Sequence, residues 1–151
     1  MITKKRSEAK KEIREEILRR LKAELKGGGR LTGLKGVYDG ERIRLAPEFP
    51  CIFLIREDEL VSQQRIHQTF EYELSLLAIA VDDEPDVGLD KAEHWAAEAS
   101  FIATQAPRDL GLAFVNDAKL MRSIPVSGPH TEGRRVGSVD VIMVTYTIVQ
   151  E

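Results

Sequence analysis

The sequence predicts an α+β fold of two layers, in which a mostly antiparallel sheet carries one packed helix and a peripheral N-terminal helix. Two periodicities point to it. Apolar residues recur every four positions over residues 5–26 and every second position over much of residues 31–81, and a closing run, Val139–Val149, is dense in Val, Ile, Thr and Tyr. With 151 residues the chain can bury roughly 68–70% of the surface its unfolded form exposes, enough for one core without a disulfide or metal. The expected organisation is a basic amphipathic helix with a glycine hinge over residues 1–30, followed by a single α+β domain over residues 31–151.

Each element has a local cause. Over residues 5–26 the stripe is Ala9, Ile13, Ile17, Leu21 and Leu25, widened by Leu18, and Gly27-Gly28-Gly29 ends the helix. Leu34–Tyr38 and Arg42–Leu45 flank Asp39-Gly40, a dipeptide suited to a hairpin turn. Pro47 and Pro50 delimit an irregular link before an apolar strand over Cys51–Arg56, which the acidic Glu57-Asp58-Glu59 is expected to break. In the long strand over Ile66–Val81, Phe70, Tyr72, Leu74, Leu76, Ala78 and Ala80 point one way, and Thr69, Glu71, Glu73 and Ser75 the other. Beyond Ser75 both faces are apolar, which predicts cover on both sides.

Asp82–Asp86 is expected to be a charged turn, with Asp90 and Glu93 capping a helix over Lys91–Gln105 that ends before Pro107. That helix is the one expected on the sheet, through Ala92, Trp95, Ala96, Ala99 and Ile102. Short strands fit Ala113–Asn116 and Lys119–Val126, and a polar loop over Ser127–Ser138 precedes the closing strand.

Charge is uneven. Eleven Lys/Arg against five Glu give residues 1–30 a net +6, so a chain of net −3 leaves −9 for the remainder. A basic arm and an acidic body suit either an anionic partner or contact between copies of one chain. The lone Cys51 lies in an apolar strand and reads as a core residue of a reduced protein. No run reaches the ~18–20 apolar residues of a membrane span, and Met1–Arg6 leads into a charged helix rather than a signal peptide.

Few residues suggest chemistry. Gly27–Gly33 follows a helix and opens a strand, the reverse of a phosphate loop, and Leu34 stands where a Walker loop needs Lys. His67, His94 and His130 have no second His or Cys at ligand spacing, so no metal residue is assigned. No Gly-x-Ser-x-Gly elbow occurs. Glu71 and Glu73 on one strand face read as the wet side of a sheet sooner than an acid/base pair. The expectation is a chain without catalytic residues or cofactor. A second reading is a small nucleic-acid-binding accessory protein using the basic helix, although Glu is interleaved there and no aromatic residue is present to stack on bases.

The order of elements, with Glu48–Ile55 as a Pro-led apolar strand, Phe70–Leu76 as a long strand, a helix from Lys91-Ala92-Glu93 to Ile102 and the terminal Val141–Ile148, resembles the phage tail terminator and tail-completion proteins. The resemblance implies a structural virion part, not an enzyme: a ring, commonly a hexamer, that caps the tail tube and joins it to the head or neck. Its partners would be further copies of itself, the tail tube protein and a neck or connector protein, with DNA only passing through the lumen and no membrane. It would be found in the virion, and in the host cytoplasm during assembly. On that reading Glu71, Glu73, Thr145 and Thr147 are candidates for the lumen face. Lys10, Lys11, Arg14, Arg134 and Arg135 are candidates for partner or subunit contact.

Overall fold

The computed structural model describes residues 2–40, 48–64, 67–126 and 134–150. Its elements are β1 (Thr3–Lys4), α1 (Arg6–Ala23), β2 (Gly36–Asp39), β3 (Cys51–Gln64), β4 (His67–Val81), α2 (Pro85–Thr104), β5 (Val115–Val126) and β6 (Arg135–Gln150). The fold is α+β with a mostly antiparallel sheet, as the two periodicities predict. Strand order is β1-β6-β4-β3-β2, and β5 also pairs with β6, alongside β1. The pairs β3/β4, β4/β6 and β5/β6 are antiparallel, whereas β1/β6 and β2/β3 are parallel.

The alternation in β4 works as the sequence predicts. Phe70, Tyr72, Leu74, Leu76 and Ala78 enter one core with Ile142, Val144, Tyr146 and Ile148 of β6, and the stripes of both helices close it: Ala9, Ile13, Ile17 and Leu21 from α1, and Ala96, Ala99, Ile102 and Ala103 from α2. Both helices thus cover the same face of the sheet. On the opposite face a smaller cluster gathers Cys51, Phe53, Leu77, Ile79, Val139 and Val141, so the second half of β4 is buried on both sides.

Several boundaries differ from expectation. Glu57-Asp58-Glu59 does not end β3. The strand runs on to Gln64, because the register shifts between Arg56 and Glu59 and this bulge turns Glu59 toward the helix side. Helix α2 begins at Pro85, not Lys91: proline pre-sets the helical φ at a first turn that needs no amide there, and Asp90 lies inside the helix. Asp82 makes the turn, its carboxylate accepting from the Glu84 amide and from Lys91 Nζ. The two short strands expected at 113–116 and 119–126 are one strand, β5, interrupted by shifts at Val115/Asp117 and Leu120/Arg122. β6 starts at Arg135, so the last residues of the expected 127–138 loop are strand, and residues 127–133, His130 among them, lie outside the described residues. β2 pairs in parallel with Cys51–Leu54; the expected partner of its hairpin, Arg42–Leu45, lies outside the described residues. β1 carried no periodicity to reveal it, since two residues cannot show one.

The turn after α1 folds back on the helix. The Leu31 amide donates to the Glu24 carbonyl at 3.0 Å, and Leu31 is fully buried. A Cβ on Gly29 would sit 2.3 Å from that same carbonyl oxygen, while one on Gly27 would meet nothing. Gly29→Ala is therefore expected to cost about 1–3 kcal/mol and Gly27→Ala less than about 0.5 kcal/mol, as read from urea denaturation midpoints of the two variants.

Candidate functional site

The basic face of α1 is held down on the sheet. Glu59, whose side chain is 4% exposed, accepts from Arg6 Nε at 2.6 Å and from the Tyr146 hydroxyl at 2.8 Å, with Lys10 Nζ at 3.8 Å. Two of those cations also lie over aromatic rings of β4: Arg6 over Phe70 and Lys10 over Tyr72, at 5.1 and 4.7 Å from the ring centroids. Arg14 Nη1 donates to the Tyr72 hydroxyl at 3.3 Å. Lys4 pairs with Glu12 at 2.8 Å and lies over Phe114. Further along, Arg20 donates to the carbonyls of Gln105 and Pro107 just past the C-terminal end of α2, where a helix dipole favours a cation.

Of the residues expected to meet a partner, Lys10 and Arg14 therefore face the sheet. Lys11 is exposed and lies 3.8 Å from Glu15. Arg134 Nε pairs with Asp83 at 2.5 Å, and Arg135 lies over the Phe49 ring at 4.7 Å. These two sit at the start of β6, away from α1. Within the N-terminal segment Glu12 pairs with Lys4, and Glu16 with Arg19 and Arg20; from beyond it Glu59 meets Arg6 and Lys10, and Glu98 meets Arg30, so two carboxylates are set against its net +6.

The four lumen candidates do come together. Glu71 is the register partner of Thr145, Thr69 that of Thr147, and Glu73 that of Met143, all on the face opposite the helices. Thr69 and Thr147 share a hydroxyl hydrogen bond at 3.0 Å, Asn116 Nδ2 donates to Thr147 Oγ1 at 2.9 Å, and Arg122 lies 3.6 Å from Glu73. The result is a polar, helix-free strip at one end of the sheet, with the apolar cluster of Cys51 and Phe53 at the other.

Between α2 and β5 lies an open groove of about 610 Å³. Phe101, Leu120 and Ile124 line it at 47%, 49% and 45% exposure. Its floor is polar: the buried Asp140 accepts from Ser100 Oγ and Ser123 Oγ, both at 2.6 Å. Among the described residues lining it there is no imidazole. Sequence reasoning missed Asp140 and Glu59. A signal existed for Glu59: Tyr146 alternates with Thr145 and Thr147, so it points inward, and a buried phenol needs a partner.

No family model and no curated protein matches the chain. Among solved structures it is similar to a chain described as "Virion of native gene transfer agent (GTA) particle", with a TM-score of 0.60 and 15% identity over 87% of this chain and 91% of that one. At that identity the likeness establishes a shared fold.

Two buried acids answer to pH. Burial pushes the Cys51 thiol from an ordinary 9.0 up to about 12. Burial first, and then the hydrogen bond to Glu59, holds the Tyr146 phenol well above its ordinary 10.0. Both stay protonated in the fold but ionise in the unfolded chain, so their stabilisation is full below about pH 9 and is lost as pH rises from there. Stability measured in urea is expected to fall by about 2 kcal/mol between pH ~8 and ~10.5; a flat profile would contradict this. Separately, Glu59→Gln is expected to lower stability by about 2 kcal/mol at neutral pH, since it removes the charge facing Arg6 and Lys10 and weakens the acceptor for Tyr146. Its thermal midpoint against wild type tests that.

Proposed function

We propose that the chain is a structural component of a phage-type virion, acting as a tail terminator or tail-completion ring rather than as an enzyme. The observation that carries this reading is the fold shared, over nearly the full length of both chains, with a chain of a gene transfer agent virion particle. It agrees with the element order by which the sequence resembles the tail terminators. The ring, commonly a hexamer in that family, would cap the tail tube, contact the tube protein on one side and a neck or connector protein on the other, and let DNA pass.

The sheet suits such a part. Its helices occupy one face, which leaves the polar strip of Glu71, Glu73, Thr145 and Thr147 on the other, free to line a channel. Carboxylates there would repel the phosphates of passing DNA and keep it from adhering. A basic helix folded onto its own sheet leaves fewer cations for a nucleic acid than the composition of residues 1–30 suggests, which lowers the case for the accessory-protein reading.

Deletion of the gene in the cell that makes the particle, with complementation from a plasmid, tests the proposal. The expected result is particles whose tubes lack uniform ends or remain unjoined to heads, restored by complementation, and the chain present in purified wild-type particles by mass spectrometry. Its absence from those particles would overturn the reading.

A further inference from the structure

Among the described residues, two long stretches of sheet edge have no strand partner, and they differ in charge. β2 covers β3 only along Cys51–Leu54, so from Arg56 to Gln64 the outer edge of β3 has no strand partner among the described residues. The outer edge of β5 has none either. Unpaired edges of this length, about 25 Å each, offer rows of amides and carbonyls to another chain. Both carry exposed apolar residues: Leu60 and Val61 on β3, at 65% and 49%, and Leu120, Met121 and Ile124 on β5. Glu59 is turned into the fold against Arg6 and Lys10, so the exposed charges along residues 56–64 are Arg56, Glu57 and Asp58, a net of −1, while residues 119–126 hold Lys119 and Arg122, a net of +2.

Resting on the ring reading above, we propose that the outer edge of β5 in one copy pairs with the outer edge of β3 in a second copy of the chain. Three observations fix this occupant. Opposite charges meet in the β5-to-β3 joint, whereas a two-fold joint would set Lys119 and Arg122 against themselves, or Glu57 and Asp58 against themselves, which is repulsive. The strand direction also fits. The run β3–β4–β6–β5 is antiparallel at every step, so placing the next β3 beside β5 in head-to-tail order continues the same alternation. Finally, Glu59 and Val61 share the helix side of β3, opposite Tyr72 and Phe70. The incoming Val61 therefore falls on the side where Phe101 and Leu120 line the groove beside β5. The bulge at Leu120/Arg122 and the missing amide of Pro125 restrict which strand the edge accepts.

The joint is heterologous, so each copy keeps one edge of each kind free until the chain of contacts closes. The full-length protein is expected to run as an oligomer in sedimentation velocity, weakening as salt rises. K119E/R122E and E57K/D58K, each on one edge, are expected to lose the oligomer, and the variant carrying all four substitutions to regain it. All of these positions are exposed, and circular dichroism confirms that each variant is folded. A short bismaleimide crosslinker supplies a second readout: L60C/M121C is expected to give a ladder of covalent oligomers, and L60C or M121C alone none, since Cys51 is buried.

Dimers from either single-cysteine variant, an oligomer untouched by charge reversal, or a wild-type protein monomeric at every concentration would overturn the proposal, as would edge variants that lose binding to a tube subunit while never self-associating. Charge-reversed protein that still enters particles normally would sink the edge pairing and leave the virion reading intact. Wild-type protein absent from particles would sink the virion reading instead.

Discussion

The carboxylate of Glu59 governs how the N-terminal helix meets the sheet. An ion enclosed at that depth is tolerated only when its partners converge on it, and here they come from three places distant in sequence: Arg6 and Lys10 from α1, Tyr146 from β6, and the bulge in β3 that aims the carboxylate itself. The aromatic rings of Phe70 and Tyr72 lie beneath the same cations, so the seam combines ring faces, charge and a phenol in one contact. Around it the apolar stripe of α1 joins the common core. The helix could be shed only by exposing that stripe and leaving Glu59 without its cations.

That seam explains why a segment of high positive charge belongs to a compact fold. Arg20 at the far end of α1 performs a related task, bonding to carbonyls just beyond α2 and so fixing the two helices side by side on one face. With both helices on that side, the opposite face is left to strands alone, where the polar strip and the cluster around Cys51 divide the surface lengthwise. An asymmetric two-sided sheet of this kind is what the proposed role in a virion uses.

Much of this was legible in the sequence. The four-residue spacing from Ala9 to Leu21 and the two-residue spacing from Phe70 to Ala80 gave the main helix and strand their buried sides, because burial demands those periods and nothing else in the region competes. Glu71, Glu73, Thr145 and Thr147 could be grouped on one face for the same reason. What escaped was contact across the sequence. Glu57-Asp58-Glu59 looked like an interruption because three acids in a row are costly in a strand unless a distant cation meets one of them, and Arg6 is fifty-three positions away. The start of α2 was misplaced for a local reason: Asp90 and Glu93 resemble a cap, but Pro85 opens the helix more than a turn earlier.

The ladder between β4 and β6 has a mechanical consequence. Its register runs unbroken through fourteen residue pairs, from Gln68 opposite Ile148 to Val81 opposite Arg135. Traction applied along the strands would load every rung at once in shear, whereas traction across them would peel the rungs apart one after another. The molecule is accordingly stiff in one direction and comparatively yielding in the perpendicular one.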